Sequence, residues 1–138
     1  MTYLLDTDTI IFLLRGHHSV ANRIRRVGDE HIVTTVINLA ELYFGAFNSM
    51  HVEDNVSAID EFRRATRILA FESSAAVIFG KLKAMLKRQG NLINDSDLFI
   101  AAVALSTESI LVTNNIRHFD RIDGLNLENW VTRGSINA

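Results

Sequence analysis

Short apolar runs alternate with longer segments of helical periodicity along this chain of 138 residues. The short runs are rich in Leu, Ile and Val and predict buried β-strands at residues 3–6, 31–34, 68–71, 109–113 and 125–127. Apolar positions three and four apart predict helices at residues 7–14, 19–27, 36–47, 56–62, 73–89 and 96–105. This alternation of strand and helix is typical of an α/β fold with a parallel sheet.

The predicted strands are apolar on both faces. Such strands belong to sheets that helices cover on both sides. In parallel sheets of this kind, functional residues gather beyond the carboxyl ends of the strands. We therefore expect the chemistry at polar residues that directly follow a strand or begin the next helix.

Small polar residues and glycines predict several helix ends. Ser19 and Ser73 are predicted N-caps, because a serine hydroxyl can accept a hydrogen bond from a free N–H of the first turn. Gly28 and Gly90 are predicted to end the same two helices. Asp95 is the predicted cap of the helix that follows the loop "NLIND".

The first candidate chemistry is a pair of acids in "LLDTDT", at the end of the first predicted strand. Asp6 and Asp8 can be helix caps without any further role. They can also hold a metal ion, or Asp6 can be a nucleophile with Asp8 as its acid. The stretch alone leaves these three alternatives open.

Glu41 lies in "VINLAELYFGAF", whose apolar residues cover nearly the whole circumference of a helix. That pattern predicts a buried helix. Asn38, Glu41, Gly45 and Asn48 form a narrow polar stripe along it. Glu41 therefore either reaches solvent along the stripe or lines a cleft.

Polar groups also begin the helix "DLFIAAVAL" and follow the strand "SILVT". Asp97 opens that apolar helix and is predicted to point into the interior cleft. Thr113, Asn114 and Asn115 end the strand and bring a hydroxyl and two amides to the carboxyl edge of the sheet. An asparagine there can also be a plain turn residue.

These positions together predict a carboxylate cluster of Asp6, Glu41 and Asp97, with Asn115 beside it. Packed carboxylates repel each other and raise one another's pKa values. A hard cation such as Mg²⁺ or Mn²⁺ neutralises such a cluster, takes oxygen ligands and keeps waters for a substrate phosphate.

Composition limits the alternatives. Apolar residues make up 48% and charged residues 22% of the chain, which predicts one globular domain over residues 1–138. No apolar stretch reaches the length of a membrane span, and the absence of cysteine favours a reducing cytoplasm. The net charge of −2 argues against a strongly basic nucleic-acid-binding domain, but an acidic nuclease site is compatible with it.

The remaining chemical groups give weaker signals. The five histidines lack the spacing of a helical metal-binding pair and are predicted to be surface residues. The run "KLKAMLKR", residues 81–88, has four cations and no acid. It is either a solvated helix face or a guide for a phosphate backbone.

Four ordered segments resemble the motifs of PIN domains, specifically the VapC-type toxins of bacterial and archaeal toxin–antitoxin pairs. They are "YLLDTDTIIFLL", "AELYFGA", "RQGNLINDSDLFIAAVAL" and "ILVTNNIRHFDRIDGLNLENW". Together they span almost the whole chain. Two departures stand out: Asp8 occupies a position where Asn is common, and "NDSD" replaces a loop that commonly contains Gly.

The resemblance implies a three-layer α/β/α fold and an endoribonuclease toxin that depends on Mg²⁺ or Mn²⁺. Asp6, Glu41 and Asp97 match the acidic residues of the family, and Asn115 matches a fourth position. The implied mechanism has Asp6 and Asp97 binding the metal, Glu41 orienting water, and Asn115 with Thr113 behind it positioning a water or phosphate. RNA, an antitoxin protein and a second copy of the chain are the implied partners.

Two rival hypotheses remain. "DTDT" and "ILVTN" also fit the first motifs of haloacid-dehalogenase-type phosphatases, in which Asp6 attacks phosphate and Asp8 protonates the leaving group. That family needs a later lysine, and no lysine follows Lys87. The other rival is an inactive PIN-like module that only binds RNA or a protein partner.

Overall fold

A five-stranded sheet forms the centre of the computed structural model, which describes residues 1–132. The end of the predicted single domain, residues 133–138, lies outside the described residues. The strands are β1 (Tyr3–Leu5), β2 (Ile32–Thr35), β3 (Arg67–Leu69), β4 (Ile110–Val112) and β5 (Leu127–Glu128). They pair in the order β3-β2-β1-β4-β5, and every pair is parallel.

The connections between the strands are mostly helical. The helices are α1 (Thr7–Leu14), α2 (His18–Val27), α3 (Val36–Phe47), α4 (Val52–Ala65), α5 (Ser73–Arg88), α6 (Asp95–Ser106) and α7 (Ile116–Phe119). A short 3₁₀ turn, Asp29–His31, precedes β2. Within residues 1–132, no helix is long and apolar enough to cross a membrane.

Two hydrophobic cores lie on opposite faces of the sheet. Neighbouring residues of a strand point to opposite faces, so Leu4 of β1 belongs to one core and Leu5 to the other. Helices α5, α6 and α7 cover the Leu4 side, and helices α1 to α4 cover the Leu5 side. The predicted three-layer α/β/α fold with a parallel central sheet is therefore confirmed.

The predicted serine caps are wrong. Helix α2 begins at His18, and Ser19 lies inside its first turn, where its hydroxyl donates to the carbonyl of Trp130 at 2.8 Å. Ser73 is the first residue of α5, behind Glu72 at the N-cap position. Serine also satisfies other hydrogen bonds in a first turn, so a serine near a helix start does not fix the cap.

Asp95 is not the cap of α6. The side chain of Asn94 caps this helix by accepting from the backbone N–H of Asp97 at 2.8 Å. Asp95 is the first helical residue, and its carboxylate pairs with Lys83 at 2.9 Å. An acid in a first turn is stabilised by the helix dipole at several positions, which hides the true cap in the sequence.

The edge strands are shifted from their predicted bounds. The strand predicted at residues 68–71 is Arg67–Leu69, and the one predicted at residues 125–127 is Leu127–Glu128. Edge strands are short and only half-buried, so their hydrophobic signal is weak. Helix α7 was not predicted, because four residues carry too little periodicity.

Buried positions of α5 should dominate its contribution to stability. Leu86 is fully buried, whereas Val77 on the same helix is 59% exposed. We expect Leu86→Ala to lower the free energy of unfolding by about 2–5 kcal/mol, because it leaves a cavity beneath α6. Val77→Ala should change it by less than about 0.5 kcal/mol. Urea denaturation followed by circular dichroism measures both, and equal losses would contradict the described packing.

Candidate active site

Asp6 stands at the carboxyl end of β1 and is the N-cap of α1. Its Oδ1 accepts from the backbone N–H of Thr7 at 2.9 Å, so the plain capping interpretation is correct. The residue is only 5% exposed, which is unusual for a capping aspartate. Capping alone therefore does not account for its burial.

Two further side chains donate to Asp6. The amide of Asn38 donates to Oδ1 at 3.2 Å, and the hydroxyl of Thr113 donates to Oδ2 at 2.7 Å. Thr113 in turn accepts from the backbone N–H of Asn115 at 3.0 Å. The ends of β1 and β4 and the start of α3 thus meet at this one carboxylate.

Burial raises the pKa of Asp6 to about 7, against an ordinary value of 3.8. The negative charge of Asp8 raises it further, while the hydrogen bonds from Thr113 and Thr7 lower it. Within residues 1–132, no lysine or arginine forms an ion pair with Asp6. The ionised carboxylate therefore lacks a compensating positive charge.

Asp8 lies in the first turn of α1 but does not cap it. Its Oδ2 accepts from the backbone N–H of Asn114 at 3.1 Å, and its Oδ1 accepts from the hydroxyl of Thr9 at 3.3 Å. Burial raises the pKa of Asp8 as well. Asp8 thus ties α1 to the end of β4, directly beside Asp6.

Glu41 lines a pocket between α1, α3 and α4, together with Arg15 and Gly45. The hydroxyl of Thr7 donates to its Oε1 at 2.5 Å, and the hydroxyl of Ser96 donates to its Oε2 at 2.6 Å. These contacts join α1, α3 and α6 through one carboxylate. Of the two alternatives for the polar stripe, the cleft is therefore correct for Glu41.

Asn38 links the two carboxylate groups. It is fully buried, and its Nδ2 donates both to Asp6 and to the hydroxyl oxygen of Thr7 at 3.0 Å. Its Oδ1 accepts from the hydroxyl of Thr35 at 2.6 Å. One feature of the sequence indicates this role: Asn38 precedes Glu41 by three residues on the same stripe of α3.

Asp97 lies in the first turn of α6, with its side chain 13% exposed. Its Oδ2 accepts from Nδ2 of Asn94 at 3.1 Å and contacts Nδ1 of His118 at 3.0 Å. Burial raises the pKa of Asp97, and the charge of Glu41 acts in the same direction, whereas His118 lowers it.

His118 is the clearest residue that sequence reasoning missed. It was grouped with the other histidines as a surface residue, and it is indeed exposed. Helix α7, however, holds its ring against Asp97. In the sequence, only its position three residues after Asn115 indicates that His118 lies near the acidic residues.

Asn115 is the N-cap residue of α7 and follows the end of β4 by three residues. Its backbone N–H is bonded to Thr113, while its exposed side chain does not cap the helix. Asn115 thus lies near the cluster through its backbone, while its side chain is exposed to solvent.

The cationic run of residues 81–88 lies on α5. Its Lys83 forms an ion pair with Asp95 at the start of α6.

The residues present fit a hydrated hard cation. Within residues 1–132, no three His, Asp or Glu side chains form a group that could hold a metal ion by themselves. Mg²⁺ does not require such a cage, because it keeps several waters and uses one or two carboxylates together with substrate phosphate. The raised pKa values of Asp6 and Asp97 indicate carboxylates that a cation would stabilise.

The family match and the similar proteins agree with one another. The PIN domain family matches residues 3–125. Ribonuclease VapC2 of Haemophilus influenzae is 38% identical over 132 residues, which cover 95% of this chain and 99% of that protein. The tRNA(fMet)-specific endonuclease VapC of Salmonella typhimurium is 31% identical over 130 residues, covering 94% and 98%.

A solved structure gives the same family. One chain of the crystal structure of VapBC2 from Rickettsia felis, bound to a DNA fragment from their promoter, is 34% identical. It superposes with a TM-score of 0.87 over 94% of this chain and 99% of that chain. The resemblance seen in the sequence is confirmed: this chain belongs to the PIN-domain family, among its VapC-type ribonucleases.

Proposed function

We propose that this endoribonuclease toxin depends on Mg²⁺ or Mn²⁺ and that Asp6, Glu41, Asp97 and Asn115 form its active site. The observation that carries the proposal is that Asp6, Glu41 and Asp97 are near enough for their charges to interact. The charge of Asp97 raises the pKa of Asp6, the charge of Glu41 raises the pKa of Asp97, and hydrogen bonds through Asn38 and Thr7 connect Asp6 to Glu41. Within residues 1–132 none of the three pairs with a lysine or arginine. Hydrolysis of RNA phosphodiester bonds would inhibit translation or growth.

Asp6 and Asp97 would hold the cation, directly or through water. When bound, the cation supplies a Lewis acid for the phosphoryl oxygen and lowers the pKa of a neighbouring water. Asn94 and His118 both contact Oδ2 of Asp97, and within residues 1–132 its Oδ1 accepts no hydrogen bond. Asp6 is held rigidly by its three donors, so its position does not depend on substrate.

Glu41 would orient the attacking water. Both of its oxygens already accept from a hydroxyl, from Thr7 and from Ser96, and these contacts fix the position of the carboxylate. The remaining lone pairs can accept from a water molecule. Asn115 would hold a water or a phosphate oxygen through its exposed carboxamide, with Thr113 linking its backbone to Asp6.

The protein would act as one domain, residues 1–138, with protein partners. The relatives from Rickettsia felis and Salmonella typhimurium are solved as VapBC assemblies, which supports a cognate antitoxin for this chain. Phe44, Phe47 and Met50, at and beyond the end of α3, are all more than 60% exposed. Exposed apolar side chains of this kind suit a partner or a homodimer. A ribonuclease with an RNA substrate and an antitoxin partner would act in the cytoplasm.

The rival hypotheses receive less support. A haloacid-dehalogenase-type phosphatase needs a lysine after the motif "ILVTN", but no lysine follows Lys87, whereas the PIN domain family matches residues 3–125. An inactive binding module would have no need for three buried or half-buried acids with raised pKa values.

Single substitutions test the assignment of the acids. We expect Asp6→Asn and Asp97→Asn to lower kcat for RNA cleavage by roughly a hundredfold or more, because each removes a charged ligand. Asp8→Asn should cost roughly tenfold or less, since its oxygens serve Asn114 and Thr9. The exposed Asp54→Asn of α4 is the control. Purified, antitoxin-free protein is assayed with Mn²⁺ on tRNA(fMet) and on total RNA, and full activity of Asp6→Asn would refute the site.

Cation binding should depend on pH through Asp6. Its pKa of about 7 means that a proton competes with the cation at and below neutral pH. We expect the affinity for Mn²⁺ to fall up to about tenfold per pH unit below 7 and to level off above it. Isothermal titration calorimetry at pH 5.5, 6.5 and 8 measures this, and a flat profile would show that Asp6 does not take part.

The same group should make the cation-free protein less stable at high pH. The pKa of Asp6 is about 7 in the folded protein and 3.8 ordinarily, so protonation of Asp6 stabilises the fold fully below pH 3.8. This stabilisation is lost as the pH rises through the folded-state pKa of about 7. Urea denaturation with a chelator should show a larger loss between pH 5.5 and 8 for the wild type than for Asp6→Asn. Identical losses would contradict the raised pKa.

A further inference from the structure

One histidine contacts the acidic cluster within residues 1–132. Nδ1 of His118 is 3.0 Å from Oδ2 of Asp97. The His118 side chain is 53% exposed, whereas that of Asp97 is 13% exposed. The imidazole is therefore the solvent-facing partner of this contact, and the carboxylate is the buried one.

The contact determines which ring nitrogen carries the hydrogen. An ionised carboxylate only accepts, and Oδ2 of Asp97 also accepts from Asn94 at 3.1 Å. Nδ1 of His118 is therefore the donor. In the neutral imidazole the other nitrogen, Nε2, then carries a lone pair, and the geometry of the ring directs it away from Asp97.

This free acceptor has a fixed position. Nε2 of His118 has no hydrogen-bond partner within residues 1–132. The next residue, Phe119, is fully buried in the core beneath α7 and anchors the short helix. The acceptor is thus held at the cleft by a packed side chain.

The chemistry of this acceptor selects one group of an RNA backbone. Phosphate and ester oxygens only accept hydrogen bonds, whereas the ribose 2′-hydroxyl can donate one, and DNA lacks it. We infer that His118 is a specificity-determining residue whose Nε2 accepts from a ribose 2′-hydroxyl beside the scissile phosphate while its Nδ1 positions Asp97. This inference rests on the proposed function, which brings the substrate to Asp97.

Two substitutions separate the two nitrogens. Asparagine in His118→Asn keeps an N–H donor near the place of Nδ1 but has nothing at the place of Nε2. Phenylalanine in His118→Phe removes both. His51→Asn, at the exposed N-cap of α4, is the matched control. Thermal melts establish that all three variants fold.

The first readout is a cycle between protein and substrate. The probe is a synthetic RNA that the wild type cleaves at one mapped position, made either all-ribose or with single 2′-deoxynucleotides beside that position. For the wild type and His51→Asn, one deoxy substitution should lower kcat/KM roughly three- to tenfold. For His118→Asn, kcat/KM on the all-ribose RNA should be lower than that of the wild type by the same factor. A 2′-deoxynucleotide in the RNA should then cause no further loss.

The second readout is Mn²⁺ affinity by calorimetry, without substrate. His118→Asn should bind Mn²⁺ as the wild type does, and His118→Phe should bind it roughly tenfold more weakly because Asp97 loses its orienting donor. Equal affinity of His118→Phe and the wild type would overturn the positioning role. Equal weakening of both variants would make Nε2 a cation ligand and overturn the 2′-hydroxyl contact.

If a 2′-deoxynucleotide lowers kcat/KM of His118→Asn as much as it lowers that of the wild type, the contact between Nε2 and the ribose 2′-hydroxyl is also overturned. These failures differ from failure of the proposed function. If the wild type cleaves the RNA no faster than Asp97→Asn, the proposed active site itself is wrong, and the inference about His118 fails with it.

Discussion

The burial of Asp6 at the end of the central strand is the constraint on which the rest of the site depends. A carboxylate that is 5% exposed and has no cationic partner within residues 1–132 is costly unless hydrogen bonds or a cation stabilise it. The fold supplies three donors, from α1, α3 and the end of β4. Those donors do not restore the ordinary pKa, because burial and the charge of Asp8 outweigh them.

The hydrogen bonds around Asp6 have a fixed direction. The hydroxyl of Thr35 donates to Asn38, the amide of Asn38 donates to Thr7, and the hydroxyl of Thr7 donates to Glu41. Each hydroxyl in this series therefore has its hydrogen committed. Glu41 accepts the last hydrogen bond of the series, which suits its proposed role of orienting a water molecule. The network is thus arranged before any ligand binds, and preorganised groups need little rearrangement during reaction.

Several residues serve both folding and the proposed chemistry. Asp6 caps α1 and belongs to the cluster, and Asn94 caps α6 while its amide holds Asp97. Because helix α7 is anchored by the buried Phe119, its neighbour His118 stays against Asp97. Asp6 and Asp97 thus lie at helix starts, where free N–H groups and the helix dipole favour negative charge.

Much of this protein was determined by its sequence. The apolar runs fixed the parallel α/β sheet, because strands buried on both faces leave little room for polar residues. Acids that follow a strand or begin a helix indicated Asp6 and Asp97, and the polar stripe of α3 indicated Glu41. Family motifs then identified the PIN domain, which the comparisons confirm.

Only the tertiary structure decided how these groups meet. It determined that buried Asn38 donates to both Asp6 and Thr7, that Ser96 donates to Glu41, and that His118 contacts Asp97. Their partners are 21 to 55 residues away along the chain. A polar residue on a helix looks the same in sequence whether it faces solvent or a carboxylate, because periodicity reports the face of its own helix and not what the other elements bring against it.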